Sequence, residues 1–210
     1  MKKITYILFL LIACITNLQA VTLTPSQQQD VIAKINVSAS KIKSISCSFT
    51  QTKHLSLLSD KMVSSGKMYY KQPNKLRWEY TTPYNYLFVF NGTKVYVGNK
   101  SKKDVIDTNT NKVFKEIARI MMNTVTGKAL SNKTDFSISV ADNGKTWTVT
   151  LIPKKKEMKQ MFAKIKLIFN KSTFMISEIN IYEKNNDRTN IKLSNIVTNG
   201  SINESFFAIP

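Results

Sequence analysis

The chain has few of the side chains on which catalytic and metal sites are built. Its 210 residues include two cysteines, Cys14 and Cys47, and a single histidine, His54. The sequence contains no G-x-S-x-G, P-loop or H-E-x-x-H pattern, and its carboxylates are sparse and scattered. The sequence therefore predicts no enzyme, no metal site and no bound cofactor.

The scarcity of cysteine also limits how the fold can be held together. Once the N-terminal segment that carries Cys14 is removed, Cys47 has no partner for an intrachain disulfide, so the core must hold by burial alone. Cys47 shares an alternating face with Ile45 and Phe49, which predicts a small buried hydrophobe. His54 falls on the opposite face, which argues against a thiol–histidine pair.

Arginine is scarce although the chain is strongly basic, with a formal net charge of +18. Of its 31 basic residues only Arg77, Arg119 and Arg188 are arginine. Surfaces that read bases or phosphates favour arginine forks, and here the lysines are spread through the whole chain. The charge therefore indicates a lysine-rich composition and no nucleic-acid partner. Weak attraction to anionic lipid or to acidic partners stays open.

The chain begins with a pattern typical of export. Two lysines precede a short apolar run from Ile4 to Ile15, and Leu18-Gln19-Ala20 follows. The run is too short to span a bilayer, which takes about 20 residues. This predicts a signal peptide over residues 1–20, cleaved after Ala20, and a mature domain over residues 21–210. The segment LIAC also resembles a lipobox, so acylation at Cys14 is an alternative.

The mature chain opens with signals for a helix. Thr24 is a good N-cap, Pro25 fits the first helical position, and Gln27 completes a capping box. Apolar residues follow at helical spacing. They are Ile32, Ile35, Ala39 and Ile42.

From Ser44 onward the apolar period is two, which predicts strands. Asn91-Gly92 and Asp142-Asn143-Gly144 mark hairpin turns. A helical pattern from Lys112 to Leu130 interrupts the strands, which then resume to the C-terminus. The sequence therefore predicts one mainly β (α+β) domain, with an antiparallel sheet curled into a barrel or half-barrel.

Several segments together resemble a known family, the LolA periplasmic lipoprotein carriers. They are IKSISCSFTQ, GKMYYKQPNKLRWEYTTP, LFVFNGTKVYV and FFAIP. The matching positions include Ser48, Phe49 and Gln51 in the first segment, and Gly66, Pro73, Arg77, Trp78 and Pro83 in the second. The similarity covers nearly the whole mature chain, and the block from Gly66 to Val97 is its most specific part.

The resemblance implies a single curved antiparallel sheet that forms an incomplete β-barrel, with an N-terminal helix and a mid-chain helical lid over its open side. It implies a monomeric periplasmic chaperone whose cavity takes the acyl chains of lipoproteins between the inner and outer membranes. The implied partners are an inner-membrane lipoprotein-releasing ABC transporter and an outer-membrane acceptor, or direct delivery to that membrane. The expected cavity residues are Phe49, Met68, Tyr70, Leu76, Trp78, Tyr80, Phe88 and Phe90, and the expected lid residues are Ile117, Ile120 and Met121.

One position departs from the family pattern. The best-known carriers have an arginine before the motif proline, where it helps to hold the lid closed, and this chain has Gln72. Glutamine can still donate hydrogen bonds, although without charge or a bidentate fork. We therefore expect Gln72 at the rim of the lid.

Other interpretations remain open on the sequence alone. An aromatic stripe on a strand is commonly plain core. The same fold could carry or sense a free lipid or glycolipid, or act as a membrane-anchored, receptor-like lipoprotein acylated at Cys14. A structural envelope protein with a filled core is a further alternative.

Overall fold

A computed structural model describes residues 21–58, 60–99, 101–110, 112–131 and 133–209. The expected signal peptide and Cys14 lie outside these ranges. Within them, no helix combines the length and the apolar character needed to cross a membrane.

The described chain forms one continuous antiparallel sheet of twelve strands. The sheet order is β1-β8-β9-β10-β11-β12-β2-β3-β4-β5-β6-β7, so β1 and β7 are its two edges. This arrangement confirms the predicted open, incomplete barrel. The strands are β1 (Val21–Thr22), β2 (Ser44–His54), β3 (Lys61–Lys71), β4 (Lys75–Thr82), β5 (Tyr86–Phe90), β6 (Lys94–Gly98), β7 (Lys103–Asp107), β8 (Phe136–Asp142), β9 (Thr146–Pro153), β10 (Phe162–Asn170), β11 (Ile176–Glu183) and β12 (Arg188–Thr198).

Three α-helices accompany the sheet among the described residues. They are α1 (Pro25–Ser40), α2 (Lys112–Thr126) and α3 (Lys156–Met161). The first begins as predicted, because Thr24 accepts from the Gln27 backbone N–H while the Gln27 side chain accepts from the Thr24 backbone N–H. A 3₁₀ turn, Lys128–Ser131, follows α2, and a second, Glu204–Phe207, lies near the C-terminus.

The strand register brings the aromatic side chains of β2 to β5 into rows on one face of the sheet. Ile45 pairs with Tyr70, Tyr70 with Leu76, and Leu76 with Phe90. In the next row the pairs run from Cys47 through Met68 and Trp78 to Phe88. A third row contains Phe49, Gly66 and Tyr80. The register therefore puts these residues on one common face of the sheet, in agreement with the alternation in the sequence.

Gly66 makes room for the ring of Phe49 within the third row. A Cβ at Gly66 would lie 1.8 Å from the backbone oxygen of Glu79 and 2.9 Å from Phe49 Cζ, so no other residue fits without a shift of backbone. The Phe49 ring instead packs against Trp78, at 4.5 Å between centroids, and against Tyr80 at 5.1 Å. Such tilted and edge-on contacts give a rigid apolar surface.

The two ends of the sheet differ, and each is named here by its connections. The loop end holds the connections that join β2–β3 (residues 55–60), β4–β5 (83–85), β6–β7 (99–102) and β11–β12 (184–187), together with α3, which leads into β10. The helix end is the opposite one, where α1 leads into β2 and where β3 turns into β4.

At the helix end the interior is filled by α1 and by the turn after α2. Gly127 has a φ of +79° and approaches so closely that an added Cβ would lie 3.1 Å from Ile35 Cγ2 and 3.5 Å from Phe169 Cε1. Leu130, in the following turn, is fully buried. Close approach of these elements fills this part of the interior.

On the outer face, the C-terminal 3₁₀ turn covers β3 and β4. The ring of Phe206 lies 4.8 Å from that of Tyr69, and Arg77 Nη1 donates to the Phe206 backbone oxygen at 3.2 Å. Glu204 pairs with Lys71 at 2.7 Å and with Lys75. Hydrogen bonds from Lys71 and Lys75 lower the pKa of Glu204 to about 2. The final residues of the chain therefore fix this part of the sheet from outside.

Candidate ligand-binding cavity

A cavity of about 610 Å³ lies between α2, α3 and the inner face of the sheet. Its volume falls in the range of roughly 300–1,000 Å³ that is usual for sites of small organic ligands. Most of its lining side chains are aliphatic or aromatic, with three methionines. The lining residues are Trp78, Tyr80, Ile120, Met121, Thr124, Val125, Lys155, Glu157, Met158, Met161, Phe162, Ile165, Ile179, Ile181 and Ile191.

Trp78 and Tyr80 form the wall that β4 contributes. Both were expected from the sequence, and both rest on the ring of Phe49. The Tyr80 hydroxyl donates to Gln51 Oε1 at 2.9 Å. Burial raises the pKa of Tyr80, so its hydroxyl stays protonated and neutral at physiological pH. This wall is therefore rigid, uncharged and mainly apolar.

The other expected cavity residues lie beneath or beside this wall. None of them is among the residues that line the cavity. Five are buried in the core, namely Phe49, Met68, Tyr70, Leu76 and Phe90, while Phe88 is partly buried beside Trp78. They support the cavity wall as packed core. Direct contact between any of them and a ligand stays a prediction.

The lid helix α2 lies against the cavity through its second half. Ile120 and Met121, two of the expected lid residues, line the cavity, and Thr124 and Val125 extend the same surface. The side chain of Ile117 lies outside the described residues. An amphipathic helix that covers a cavity through aliphatic and methionine side chains can adapt to different ligand shapes.

The short helix α3 was missed in the sequence analysis, although it closes one side of the cavity. Met158 and Met161 both line the space, and Met161 is also half exposed to solvent. Their spacing of three residues is the only local signal of a helical turn, because the rest of Lys156–Met161 is charged or polar. A six-residue helix between two strands offers too short a pattern to be recognised.

Three neighbouring strands supply the wall opposite β4. Ile165 of β10, Ile179 and Ile181 of β11, and Ile191 of β12 all line the cavity. The sequence predicts these strands, but no residue on them was assigned to a site. The strand register brings these side chains together, because Ile165 pairs with Ile181 and Ile179 pairs with Ile191.

A buried carboxylate ties the lid helix to the rest of the fold. Asp135, only 2% exposed, accepts from Arg119 Nη2 of α2 at 2.7 Å and from Lys155 Nζ, beside α3, at 2.7 Å. Although burial alone raises the pKa of Asp135, the hydrogen bonds from Lys155 and Arg119 lower it below its usual range. Asp135 thus holds two elements that cover the cavity, and we call this set of three residues the Asp135 latch.

Gln72 lies at the junction of α1 and β2. Its side-chain Nε2 donates to the Ile42 backbone oxygen at 2.6 Å, and its backbone N–H donates to the Lys43 oxygen at 2.8 Å. Among the described residues, no hydrogen bond joins Gln72 to α2. The lid-closing role expected for Gln72 stays a prediction, while the Asp135 latch makes a direct connection to the lid.

The described residues hold no group of three or more His, Cys, Asp or Glu side chains that could bind a metal ion. Cys47 is buried as predicted, and burial raises the pKa of its thiol to about 12. A thiol in this environment stays protonated and is a poor nucleophile. The lining of the cavity, which is mostly aliphatic and aromatic, suits the binding of apolar groups.

Comparison with known proteins agrees with this description. The family model for outer membrane lipoprotein carrier protein LolA matches residues 40–210. An outer-membrane lipoprotein carrier protein of Legionella pneumophila (strain Corby) is 29% identical over 144 residues, which are 69% of this chain and 68% of the relative. A homologue from the strain Paris is 28% identical over the same length.

Solved structures share the fold at low sequence identity. An uncharacterized conserved protein from Thermus thermophilus is 9% identical with a TM-score of 0.52, over 87% of this chain and 93% of that chain. The MucA/MucB complex structure of Pseudomonas aeruginosa gives 9% identity and a TM-score of 0.51, over 86% of this chain and 61% of that chain. At such identities the likeness extends to the fold alone.

Proposed function

The chain belongs to the LolA family of outer membrane lipoprotein carrier proteins, and from that premise we propose that it carries acylated lipoproteins through the periplasm. The cargo is taken from an inner-membrane lipoprotein-releasing ABC transporter. It is delivered to an outer-membrane acceptor or directly to the outer membrane. The protein works as a monomeric binding protein without a cofactor, after cleavage of residues 1–20.

The observation that carries this proposal is the apolar cavity beneath a helix that salt bridges hold in place. Burial of a methylene group contributes about 0.8 kcal/mol, so a sixteen-carbon chain could contribute on the order of 12 kcal/mol. A fully enclosed site of that kind would release its cargo very slowly. Flexible methionine side chains from two helices, Met121, Met158 and Met161, supply a less complementary surface.

We expect the lid to move during loading, because α2 lies over the cavity and the acylated end of a lipoprotein is bulky. A methylene group occupies about the volume of a water molecule, roughly 30 Å³, so one sixteen-carbon chain needs on the order of 480 Å³. The three chains of a fully acylated lipoprotein need about three times that volume. Displacement of α2 and opening of the Asp135 latch supply the additional space.

A release assay tests the proposal. The mature chain, residues 21–210, is added to spheroplasts of the source organism that hold newly made lipoproteins, and the soluble fraction is examined for complexes. We expect lipoproteins to appear there bound to the protein in stoichiometric amounts. Met121→Glu, which places a charge in the cavity, should prevent release. Val105→Glu, at an exposed position on β7, should leave release unchanged.

Absence of release by the folded wild-type protein would contradict the lipoprotein-carrier proposal. A carrier or sensor of a free lipid or glycolipid would then be the favoured alternative. Mass spectrometry of organic extracts from the purified protein would identify such a lipid. The mass of the mature N-terminus would show whether the protein is instead a lipoprotein anchored through an acylated Cys14.

A further inference from the structure

Apolar side chains are exposed at the loop end, next to the cavity. Leu57 is 94% exposed and Leu58 is 58% exposed in the β2–β3 connection, and Met62 and Val63 are exposed at the start of β3. Tyr84, in the β4–β5 connection, is 75% exposed. Single exposed apolar residues are common, but a group of them on one end of a molecule marks an interaction surface.

Four of these residues, all except Tyr84, lie on the hairpin that β2 and β3 form. Pairing of β3 with β4 stops at Ser65 opposite Thr82, whereas pairing of β3 with β2 continues to Lys61 opposite His54. The tip of the hairpin therefore extends beyond the end of β4, with Leu57 and Leu58 at its turn.

The base of the tip is fixed by hydrogen bonds. The Ser56 backbone N–H donates to Asp187 Oδ1 at 2.7 Å, and the Ser56 hydroxyl donates to the Asn185 oxygen at 2.8 Å. The Leu58 N–H closes the turn onto the Leu55 oxygen at 3.1 Å. These contacts fix the base of the tip against the β11–β12 connection.

Exposed lysines lie in several connections at the same end of the sheet as the tip. Lys61 lies on the hairpin, Lys184 lies in the β11–β12 connection, and Lys102 lies in the β6–β7 connection, all of them exposed. Lys154 and Lys156, beside α3, are also exposed. Exposed leucine and tyrosine side chains together with lysines suit a bilayer surface that contains acidic phospholipids. The apolar side chains can enter the headgroup region, and the lysines are attracted to the anionic lipids.

The cavity reaches this end of the molecule. Met161 lines the cavity and is half exposed, and its backbone oxygen accepts from the Lys184 N–H at 3.2 Å. The same β11–β12 connection holds Ser56 of the hairpin through Asp187. The cavity, Lys184 and the apolar tip are thus joined through the β11–β12 connection.

We propose that the loop end docks on the surface of a membrane that contains anionic phospholipids. Leu57 and Leu58 enter the headgroup region, the surrounding lysines face the lipid phosphates, and the cavity side of α3 is directed toward the bilayer. The use of this surface to exchange acyl chains rests on the proposed carrier function, whereas binding to the membrane does not.

Vesicle flotation of the mature chain tests the proposal without cargo. We expect the protein to float with vesicles of phosphatidylethanolamine and phosphatidylglycerol, much less with vesicles of phosphatidylcholine, and less as salt is added. Leu57→Asp combined with Leu58→Asp should weaken binding at least about tenfold. The matched control is Val37→Asp with Val197→Asp, which changes two exposed apolar residues away from the loop end and alters the net charge equally.

The lysines are tested in the same way. Lys61→Gln with Lys184→Gln should weaken binding to the anionic vesicles about 25-fold, at about fivefold for each lysine. Lys94→Gln with Lys145→Gln, at exposed positions on the helix end, should have a much smaller effect. Equal losses in test and control variants would overturn the proposal, as would equal binding to both kinds of vesicle. Failure of the wild-type protein to float, even if its tip captured a protein partner, would also overturn it.

Membrane docking and carrier function can fail separately. A protein that floats with anionic vesicles but releases no lipoprotein from spheroplasts retains the docking surface and contradicts the carrier function. A protein that releases lipoprotein but binds no vesicle contradicts the docking surface alone.

Discussion

The interior of the sheet has a filled end and a hollow end, although the same strands run through both. At the helix end, Leu76 lies in a row of buried side chains, and Ile35 and Leu130 are fully buried there as well. One row farther on the same strand begins the cavity wall of Trp78 and Tyr80. The difference arises from the covering elements, since α1 and the turn after α2 approach the sheet closely, whereas α2 and α3 leave a space.

This contrast shows that the alternation of a strand does not decide whether a residue on its inner face is packed core or cavity wall. Leu76 and Tyr80 belong to one alternating face of β4, yet the first supports packing and the second borders a cavity. Substitutions at the two ends should therefore separate stability from binding. The largest expected effect is on stability at the filled end.

Leu76→Ala tests the filled end. Because Leu76 is fully buried and its neighbours are close-packed, the substitution leaves a cavity and should lower the free energy of unfolding by about 2–5 kcal/mol. Urea denaturation of the mature chain measures this, with Val105→Ala, at an exposed position, as the control. A loss no larger than that of the control would show that the helix end is loosely packed.

Ile181→Asp tests the hollow end. A carboxylate on the cavity wall should weaken binding of a fluorescent fatty-acid probe by at least about tenfold, because an acyl chain would bury the charge. The free energy of unfolding should fall less than in Leu76→Ala, since the carboxylate can be hydrated in the empty cavity. Ile152→Asp, on the exposed side of β9, is the matched control. Undiminished probe binding by folded Ile181→Asp would mean that ligands bind elsewhere.

Asp135→Asn tests the latch that holds the cover of the hollow end. Of the three substitutions, it should have the smallest effect on the protein. Loss of the charged hydrogen bonds to Arg119 and Lys155 should speed amide hydrogen exchange in the second half of α2 on the order of tenfold. Asp104→Asn, at an exposed position on β7, is the control. Unchanged exchange in α2 would show that packing alone holds the lid.

The latch also has a pH dependence of known sign. The pKa of Asp135 is lowered in the folded protein. Its contribution to the free energy of unfolding is therefore fully present above the unfolded pKa of about 3.9, and it is lost as the pH falls through the lower folded pKa. Exchange rates in α2 of the wild-type protein and of Asp135→Asn should therefore differ at pH 7 and converge in strong acid. A difference that persists there would assign the effect to something other than the charge.

Much of the fold could be predicted because its signals are local. The capping box at Thr24 and Gln27 specifies where α1 begins, and Asn91-Gly92 marks a hairpin turn. Strands also resume after the mid-chain helix, as the alternating pattern predicts. In each case the information lies within about ten residues of sequence.

The cavity could be predicted only in part because it depends on elements that are distant in sequence. The alternation on β4 indicates that Leu76, Trp78 and Tyr80 share a face, but it gives no information about which of them α1 covers. Met158 and Met161 escaped prediction because α3 is too short to show a period. The family resemblance added an expectation of a cavity, and the residues at its border follow only from the tertiary structure.

The neighbourhood of β2 and β12 has a consequence for when the chain can fold. Ser44, at the start of β2, donates to the Gly200 oxygen 156 positions away, and β2 pairs along its length with β12. The centre of the sheet therefore cannot form until the last strand has been synthesised, and such distant pairings form slowly. A nascent chain therefore lacks the partner of β2 until residues 188–198 have been synthesised. If residues 1–20 direct export, this delay keeps the precursor extended enough to thread through a translocation channel.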